Sequence, residues 1–275
     1  MTDPSSEISR LNQSYEADLS KDVSDILKRA LAICKETDGA LDISVYPVLR
    51  AWGFTTGSYK VPEEGEIKEL LQNVGYDKVH LTDGGNVTIP HGAEIDLGSV
   101  VKGYTGSAIA DYFRSEGVTS ALINLGGNVE CVGTRPDGKK WKVAIKSPFA
   151  DSSTGVIGVL EAQDEAIITS GGYERFFEED GEVYWHILDP ETGKPAKSGL
   201  SSVTVVGNDG LRCDGLSTAL FVMGLDGAID FWKAAGDFDA VFITDDGEVY
   251  VTEGIAGDFS LTPEYRDSSL NIVKN

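Results

Sequence analysis

The sequence predicts an α+β fold, and three observations carry that expectation. Helix-period and strand-period segments are mixed along the chain. Most strand-like segments follow one another through short Gly-, Asp- and Pro-rich turns, as antiparallel sheets do. No composition break, low-complexity linker or repeat of roughly 20–50 residues divides the chain. Its 275 residues therefore read as one domain over 1–275.

A 41% hydrophobic fraction is enough for a packed core, which excludes a disordered chain. Lys plus Arg number 23 against 45 Asp plus Glu, for a formal charge of −22. That charge argues against nucleic acid and anionic lipid, both of which are bound by clustered cations. No apolar run is long enough to span a bilayer. The opening MTDPSSEISRLN has neither a basic nor an apolar region of the signal-peptide kind, and a trimmed chain would look the same. Cys34, Cys131 and Cys213 are widely spaced with no CxxC, so plain buried thiols are expected rather than a disulfide framework or zinc site.

The elements follow in order. Val23, Ile26, Leu27, Ala30, Leu31 and Cys34 recur at helical spacing, which predicts a helix over 20–37 with Ser20 as N-cap and Asp38-Gly39 as the stop. Pro47 bars a simple helix through the middle of 39–54. A helix over 62–74 is predicted by Pro62 at its start, two Glu in its first turn, and Ile67, Leu70, Leu71 and Val74 on one face. Strands near 78–81 and 86–89 flank the hairpin signal Asp83-Gly84-Gly85. A third helix lies within 98–117, with Tyr104, Ala108, Tyr112 and Phe113 on one face and Gly117 at its end. Strand-like segments SALINL, NVECVG, WKVAIKSP, GVIGVLEA, AIITS, VYWHIL and SSVTVVG then fill 120–207. Helical stretches at 214–223 and 225–235 come next, and DAVFIT and EVYVT close the fold as a hairpin.

Four corners gather polar residues. In Ile95-Asp96-Leu97-Gly98-Ser99-Val100-Val101-Lys102-Gly103 an acid, a hydroxyl and a lysine are spaced by three. Ser99 and Lys102 share a face if the helix starts near Gly98, and a helix N-terminus with a lysine suits a phosphate. The bland reading is a strand-to-helix corner capped by Asp96. In Asn124-Leu125-Gly126-Gly127-Asn128 a strand runs into two glycines, which allows close backbone approach to a ligand. The alternative is a β-bulge with Asn in a left-handed conformation. The stretch Tyr184–Gly193 delivers His186 on a strand before an Asp-Pro turn. A lone strand histidine is more often structural, and His80 and His91 look solvated. Asp214 and Thr218 stand one helical turn apart at a helix start, where their oxygens can converge on a hard cation such as Mg2+. The bland reading is an Asp214 N-cap with Thr218 bonded back to its own helix.

These residues sit within longer blocks: SSEISRLN (5–12), TDGALDISVYPVLRAWGF (37–54), IDLGSVVKGYTGSAIADYF (95–113), ALINLGGNV (121–129), WKVAIKSP (141–148), AIITSGGYERFF (166–177), HILDPETGKPA (186–196) and VTVVGNDGLRCDGLSTALFVMG (203–224). In content and order they resemble the ApbE family, the FAD:protein FMN transferases. The resemblance implies an ApbE-like, T-fold-related α+β structure with mixed sheets and a flavin cleft between two subdomains. It implies binding of FAD with Mg2+ and transfer of FMN through a phosphoester to a Thr or Ser of an acceptor flavoprotein, a subunit of a membrane redox complex, with release of AMP. Alternatives are hydrolysis of FAD to FMN and AMP, or FAD binding without turnover.

Carried over by position, the resemblance makes Ala40, Leu41, Asp42, Asp96, Lys102, Thr169, Ser170 and Ile187 flavin-nucleotide contacts. Ser99 (through its carbonyl), Asp214 and Thr218 become metal ligands. His186 becomes the group beside the acceptor hydroxyl, with Asp214 as a possible sharer of that role. Physically, a pyrophosphate entering a chain of charge −22 needs a cation to offset it. Ser99 stands where relatives usually have a second glycine. Relatives also carry a strand region before SSEISRLN that this sequence lacks. The family points to an extracytoplasmic or membrane-associated location, with the cytoplasm left open.

Overall fold

A computed structural model describes residues 3–275. The chain forms two compact units. The stretch up to Ser99 joins with Glu174–Ala196 in the first, and Val100–Tyr173 joins with Lys197–Asn275 in the second.

In the first unit, Ser6 caps the helix Glu7–Ser14 by accepting the Ser9 N–H at 3.1 Å. The helix Lys21–Glu36 follows the predicted periodicity and buries Ile26, Leu27, Ala30, Ile33 and Cys34. Ser20 occupies its N-cap position but makes no side-chain cap; its own N–H donates to Glu7 Oε2 at 2.6 Å. Pro47 falls in the first turn of a short helix, Tyr46–Ala51, where its missing N–H costs nothing. The helix expected over 62–74 is confined to Glu64–Leu71, so Pro62 precedes it. Strands Glu16–Asp18, Asn86–Thr88 and His80–Leu81 pair antiparallel in that spatial order. Phe176–Glu179 and Glu182–Trp185 form a separate hairpin, and VYWHIL leaves strand geometry at Trp185. Val48, Trp52, Phe54, Ile67 and Leu188 form one hydrophobic cluster of this unit, with Phe177 and Tyr184 packed on it.

The second unit is built on a seven-stranded sheet. Its order is Leu270–Val273, Val249–Thr252, Asp239–Thr244, Leu200–Gly207, Ala166–Gly171, Asn128–Gly133 and Ser120–Leu125. The first pair is parallel and the rest antiparallel. A three-stranded sheet of Phe259–Leu261, Val156–Ala162 and Trp141–Lys146 shares its core, which includes Ile145, Ile157, Leu160, Ile167, Val241 and Phe259.

Two helices, Val101–Ser115 and Gly210–Ala235, pack on the large sheet and on each other. The second contains a kink at Gly224, whose φ of 74° and ψ of 174° are not helical. That is the joint expected between 214–223 and 225–235.

Several local expectations are corrected. The long helix begins at Gly210, and Asp209 caps it by accepting the Arg212 N–H at 3.3 Å; Asp214 is already inside the first turns. The helix expected from Gly98 begins at Val101 without a side-chain cap. Asp96 instead accepts the Gly98 N–H at 2.8 Å in a local turn, so Ser99 lies outside the helix and shares no helical face with Lys102. The buried face of that helix is Gly103, Gly106 and Ala110, while Tyr112 is 62% exposed. Gly126 and Gly127, with φ of 62° and 102°, form a two-residue hairpin turn opposite the pair Leu125 and Asn128. No bulge and no left-handed Asn is needed there. All three cysteines are buried and unpaired. Among the described residues, no helix is long and apolar enough to cross a membrane.

Candidate active site

The second unit builds a polar cluster around Asp214. Gly103 and Gly210 let two helices touch backbone to backbone: a Cβ on Gly103 would stand 2.0 Å from the Gly210 carbonyl oxygen. This approach brings the Gly103 N–H to Asp214 Oδ2 at 2.8 Å. Gly103 lies in the first turn of its helix, where main-chain N–H groups have no intrahelical acceptor. Asp214 is 5% exposed. Burial pushes its carboxyl above the ordinary range, while the Gly103 N–H, the Asn128 side chain and Lys102 act in the opposite direction. The Lys102 ammonium donates to Asn128 Oδ1 at 3.1 Å. Asn128 reaches this place because the Gly126-Gly127 turn starts its strand there.

Thr218 follows one turn after Asp214 and lies 3.2 Å from the Ser170 hydroxyl. Ser170 also meets Ser217 at 2.8 Å, and Ser217 donates to the Asp214 carbonyl at 2.8 Å. Ser170, Asp214 and Thr218 thus belong to one hydrogen-bonded chain of this unit, with the Lys102–Asn128 pair beside it. Thr169 does not join them. It stands opposite Thr204 in the sheet and meets that hydroxyl at 2.8 Å, on the face turned away from Ser170 by strand alternation.

The first unit holds the other candidates. Asp42 is 7% exposed, and its oxygens serve its own chain. Oδ1 accepts the Ser44 N–H at 2.8 Å and the Ser44 hydroxyl at 2.6 Å, and Oδ2 accepts the Tyr76 N–H at 2.9 Å. Burial raises its pKa against these bonds. Leu41 is buried and Ala40 half-buried. The half-buried Asp96 donates its main-chain N–H to the Ile43 carbonyl at 2.9 Å, which ties the two predicted flavin segments together. Ser99 is half-buried in the turn after Asp96. His186 is half-buried just past its hairpin; its main-chain N–H donates to the Arg175 carbonyl at 3.1 Å, and its Nδ1 lies 3.2 Å from the same oxygen. With Nδ1 as donor there, Nε2 is the basic nitrogen. Ile187 is buried. His80 and His91 are exposed.

Asn128 and Gly103 are site residues that sequence reasoning passed over. Both lay inside corners already marked for their glycines, but nothing in the sequence placed them beside Asp214. Among the described residues no three His, Cys, Asp or Glu side chains group as a metal site. The donors near Asp214 are one carboxylate and neutral hydroxyls. Such a set fits a hard divalent cation that keeps other oxygen ligands, and a cation would relieve the burial of the Asp214 charge.

Known proteins resemble this chain over most of its length. The FAD:protein FMN transferase of Klebsiella pneumoniae (strain 342) is 34% identical over 236 residues, which cover 85% of this chain and 72% of that one. That of Vibrio cholerae serotype O1 is 36% identical over 226 residues, or 80% and 67% of the two chains. The crystal structure of the ApbE protein from Thermotoga maritima superposes with a TM-score of 0.87 at 31% identity, covering 94% of this chain and 84% of that one. The model of the ApbE family matches residues 1–242. A match of that extent includes every corner from which the polar clusters are built, and on that ground the chain belongs to the ApbE family.

Proposed function

We propose that this protein is an FAD:protein FMN transferase. An acceptor Thr or Ser hydroxyl attacks the phosphorus of the FMN half of FAD, the bond to the AMP phosphate breaks, AMP leaves, and the hydroxyl proton passes to the enzyme. Family membership and the names of the relatives support the reaction. The observation that supports its chemistry is the buried carboxylate of Asp214, held by the Gly103 N–H with Lys102 close by.

Asp214 and Thr218 would hold Mg2+, which supplies positive charge against the pyrophosphate and the departing AMP. Lys102 adds a second positive charge in the same unit. Asp42 has both carboxylate oxygens engaged within its own loop, whereas Asp96 accepts the Gly98 N–H at Oδ2. His186 would take the hydroxyl proton at Nε2, since the Arg175 carbonyl engages Nδ1. The acceptor is a flavoprotein subunit of a membrane redox complex.

The test incubates the protein with FAD, Mg2+ and a flavin-accepting subunit, and reads the acceptor by intact mass. Gain of one FMN with equimolar AMP supports the reading. AMP formed equally with and without acceptor, and no mass gain, would make the protein an FAD hydrolase. FAD bound with no AMP released would make it a binder.

A further inference from the structure

Glu130 has no part in the reaction above, yet its carboxyl is buried in the second unit with 4% exposure. It lies two residues beyond Asn128 on the strand Asn128–Gly133, so both side chains leave the sheet on one face. The helix Val101–Ser115 packs on that strand. Gly106 lies beside the carboxylate: a Cβ there would be in ordinary van der Waals contact with Glu130 Oε2, at 3.6 Å.

One hydroxyl connects Glu130 to the second helix. Ser107 Oγ is 3.3 Å from Glu130 Oε2 and accepts the Gly210 main-chain N–H at 2.9 Å. Gly210 opens the helix that carries Asp214, so its N–H has no acceptor within that helix. A serine hydroxyl has a single proton, and with Gly210 as donor to it, that proton is directed to Glu130. The relay therefore runs from strand to helix to helix. It ends at the contact between Gly103 and Gly210 that also sets the Gly103 N–H on Asp214.

We propose that Glu130, acting through Ser107, is a positioning residue for Asp214: it holds the first turn of Gly210–Ala235 against Val101–Ser115. The consequence for Mg2+ rests on the role given to Asp214 above, whereas the positioning itself does not. Burial raises the Glu130 carboxyl to about 7; among the charged groups around it, Arg114 opposes the rise and Asp111 and Asp209 reinforce it. The anchor thus changes charge in the neutral range.

The test compares Glu130→Gln, Glu130→Leu and Ser107→Ala in the full chain. Amide exchange is followed at Gly103 and Gly210, Mg2+ binding by calorimetry, and AMP release from FAD against pH. Exchange at both amides is expected to rise about tenfold in Glu130→Leu and Ser107→Ala, with Mg2+ bound about tenfold more weakly. Glu130→Gln keeps a neutral hydrogen-bonding group, so it should retain slow exchange at both amides across the neutral range. Folded Glu130→Leu or Ser107→Ala protein with wild-type exchange at Gly103 overturns the proposal. If Glu130→Leu does not fold, Ser107→Ala decides, because it removes only one hydroxyl. Faster exchange in the variants together with no Mg2+ binding by the wild type would leave the positioning intact and refute the metal reading.

Discussion

Gly103 and Asp214 are 111 residues apart in sequence, and the main-chain N–H of the first donates to the carboxylate of the second at 2.8 Å. The bond exists because neither Gly103 nor Gly210 has a side chain to keep two helices apart. A Cβ on Gly103 would meet the Gly210 carbonyl oxygen at 2.0 Å and Asp214 Cβ at 2.8 Å. Both obstacles lie on or next to the main chain, so no rotamer change relieves them.

Gly103→Ala should therefore displace one helix from the other. The expected cost is about 1–3 kcal/mol, the usual range for overpacking. AMP release from FAD should fall further than stability does, because the carboxylate moves with the helix. Thermal unfolding and AMP release on the same preparation check this. An alanine variant with wild-type turnover would mean that the close approach is not needed by the site.

Asp214→Asn and His186→Ala should separate two roles. Removing the buried charge of Asp214 takes away a group whose pKa burial has raised, so Asp214→Asn is expected to unfold no earlier than wild type. Its AMP release should fall on the order of 100-fold, the scale for loss of one group that stabilises transition-state charge. His186→Ala should bind FAD and Mg2+ normally and lose transfer by roughly 10²–10⁴, the usual contribution of a general base. Titration of FAD by fluorescence and intact mass of the acceptor measure both. Equal loss of FAD binding in the two variants would contradict the separation.

The pH dependence of stability has a definite sign. Folded Glu130 keeps its proton up to about pH 7, whereas an unfolded glutamate releases it near 4.5. Between those values the native state binds more protons, so stability falls as pH rises through the window. Asp42 and Asp214, both raised by burial, act in the same direction from their ordinary 3.8 upward. Glu264 is lowered to about 2 by the Thr154 hydroxyl, so its contribution is present above 4.5 and is lost as pH falls toward 2. The wild-type melting midpoint should be higher at pH 5 than at pH 8, and the difference should narrow in Glu130→Gln. Equal differences in the two proteins would show that Glu130 does not titrate in that window.

Much of the fold was legible locally. The spacing of Val23, Ile26, Leu27, Ala30 and Cys34 placed the helix Lys21–Glu36 to within a residue at each end. The strands from Ser120 to Gly207, apart from Phe176–Glu179, followed from strand-like segments and turn residues. The short strands Phe259–Leu261 and Leu270–Val273 escaped because few residues carry too little periodicity, and their partners are distant in sequence. The helix caps failed for a related reason. Asp96 and Asp214 are good cap residues, but Asp96 was taken by a local turn and Asp214 by the main chain of another helix. Thr169 shows the limit for the site: adjacent to Ser170 in sequence, it points to the other face of the sheet.

The sequence alone determined the α+β class, the family blocks, and the polar corners at Asp96, Asn128, His186 and Asp214, because periodicity and turn chemistry act over a few residues. Tertiary structure decided that Asp214 is buried beside Asn128 and Lys102, that Asp42 ties its own loop, and that Glu130 anchors a helix through Ser107. Burial and hydrogen-bond partnership depend on which remote segments the folded chain brings into contact. No local pattern records that, since a carboxylate reads the same in sequence whether water or a glycine N–H satisfies it.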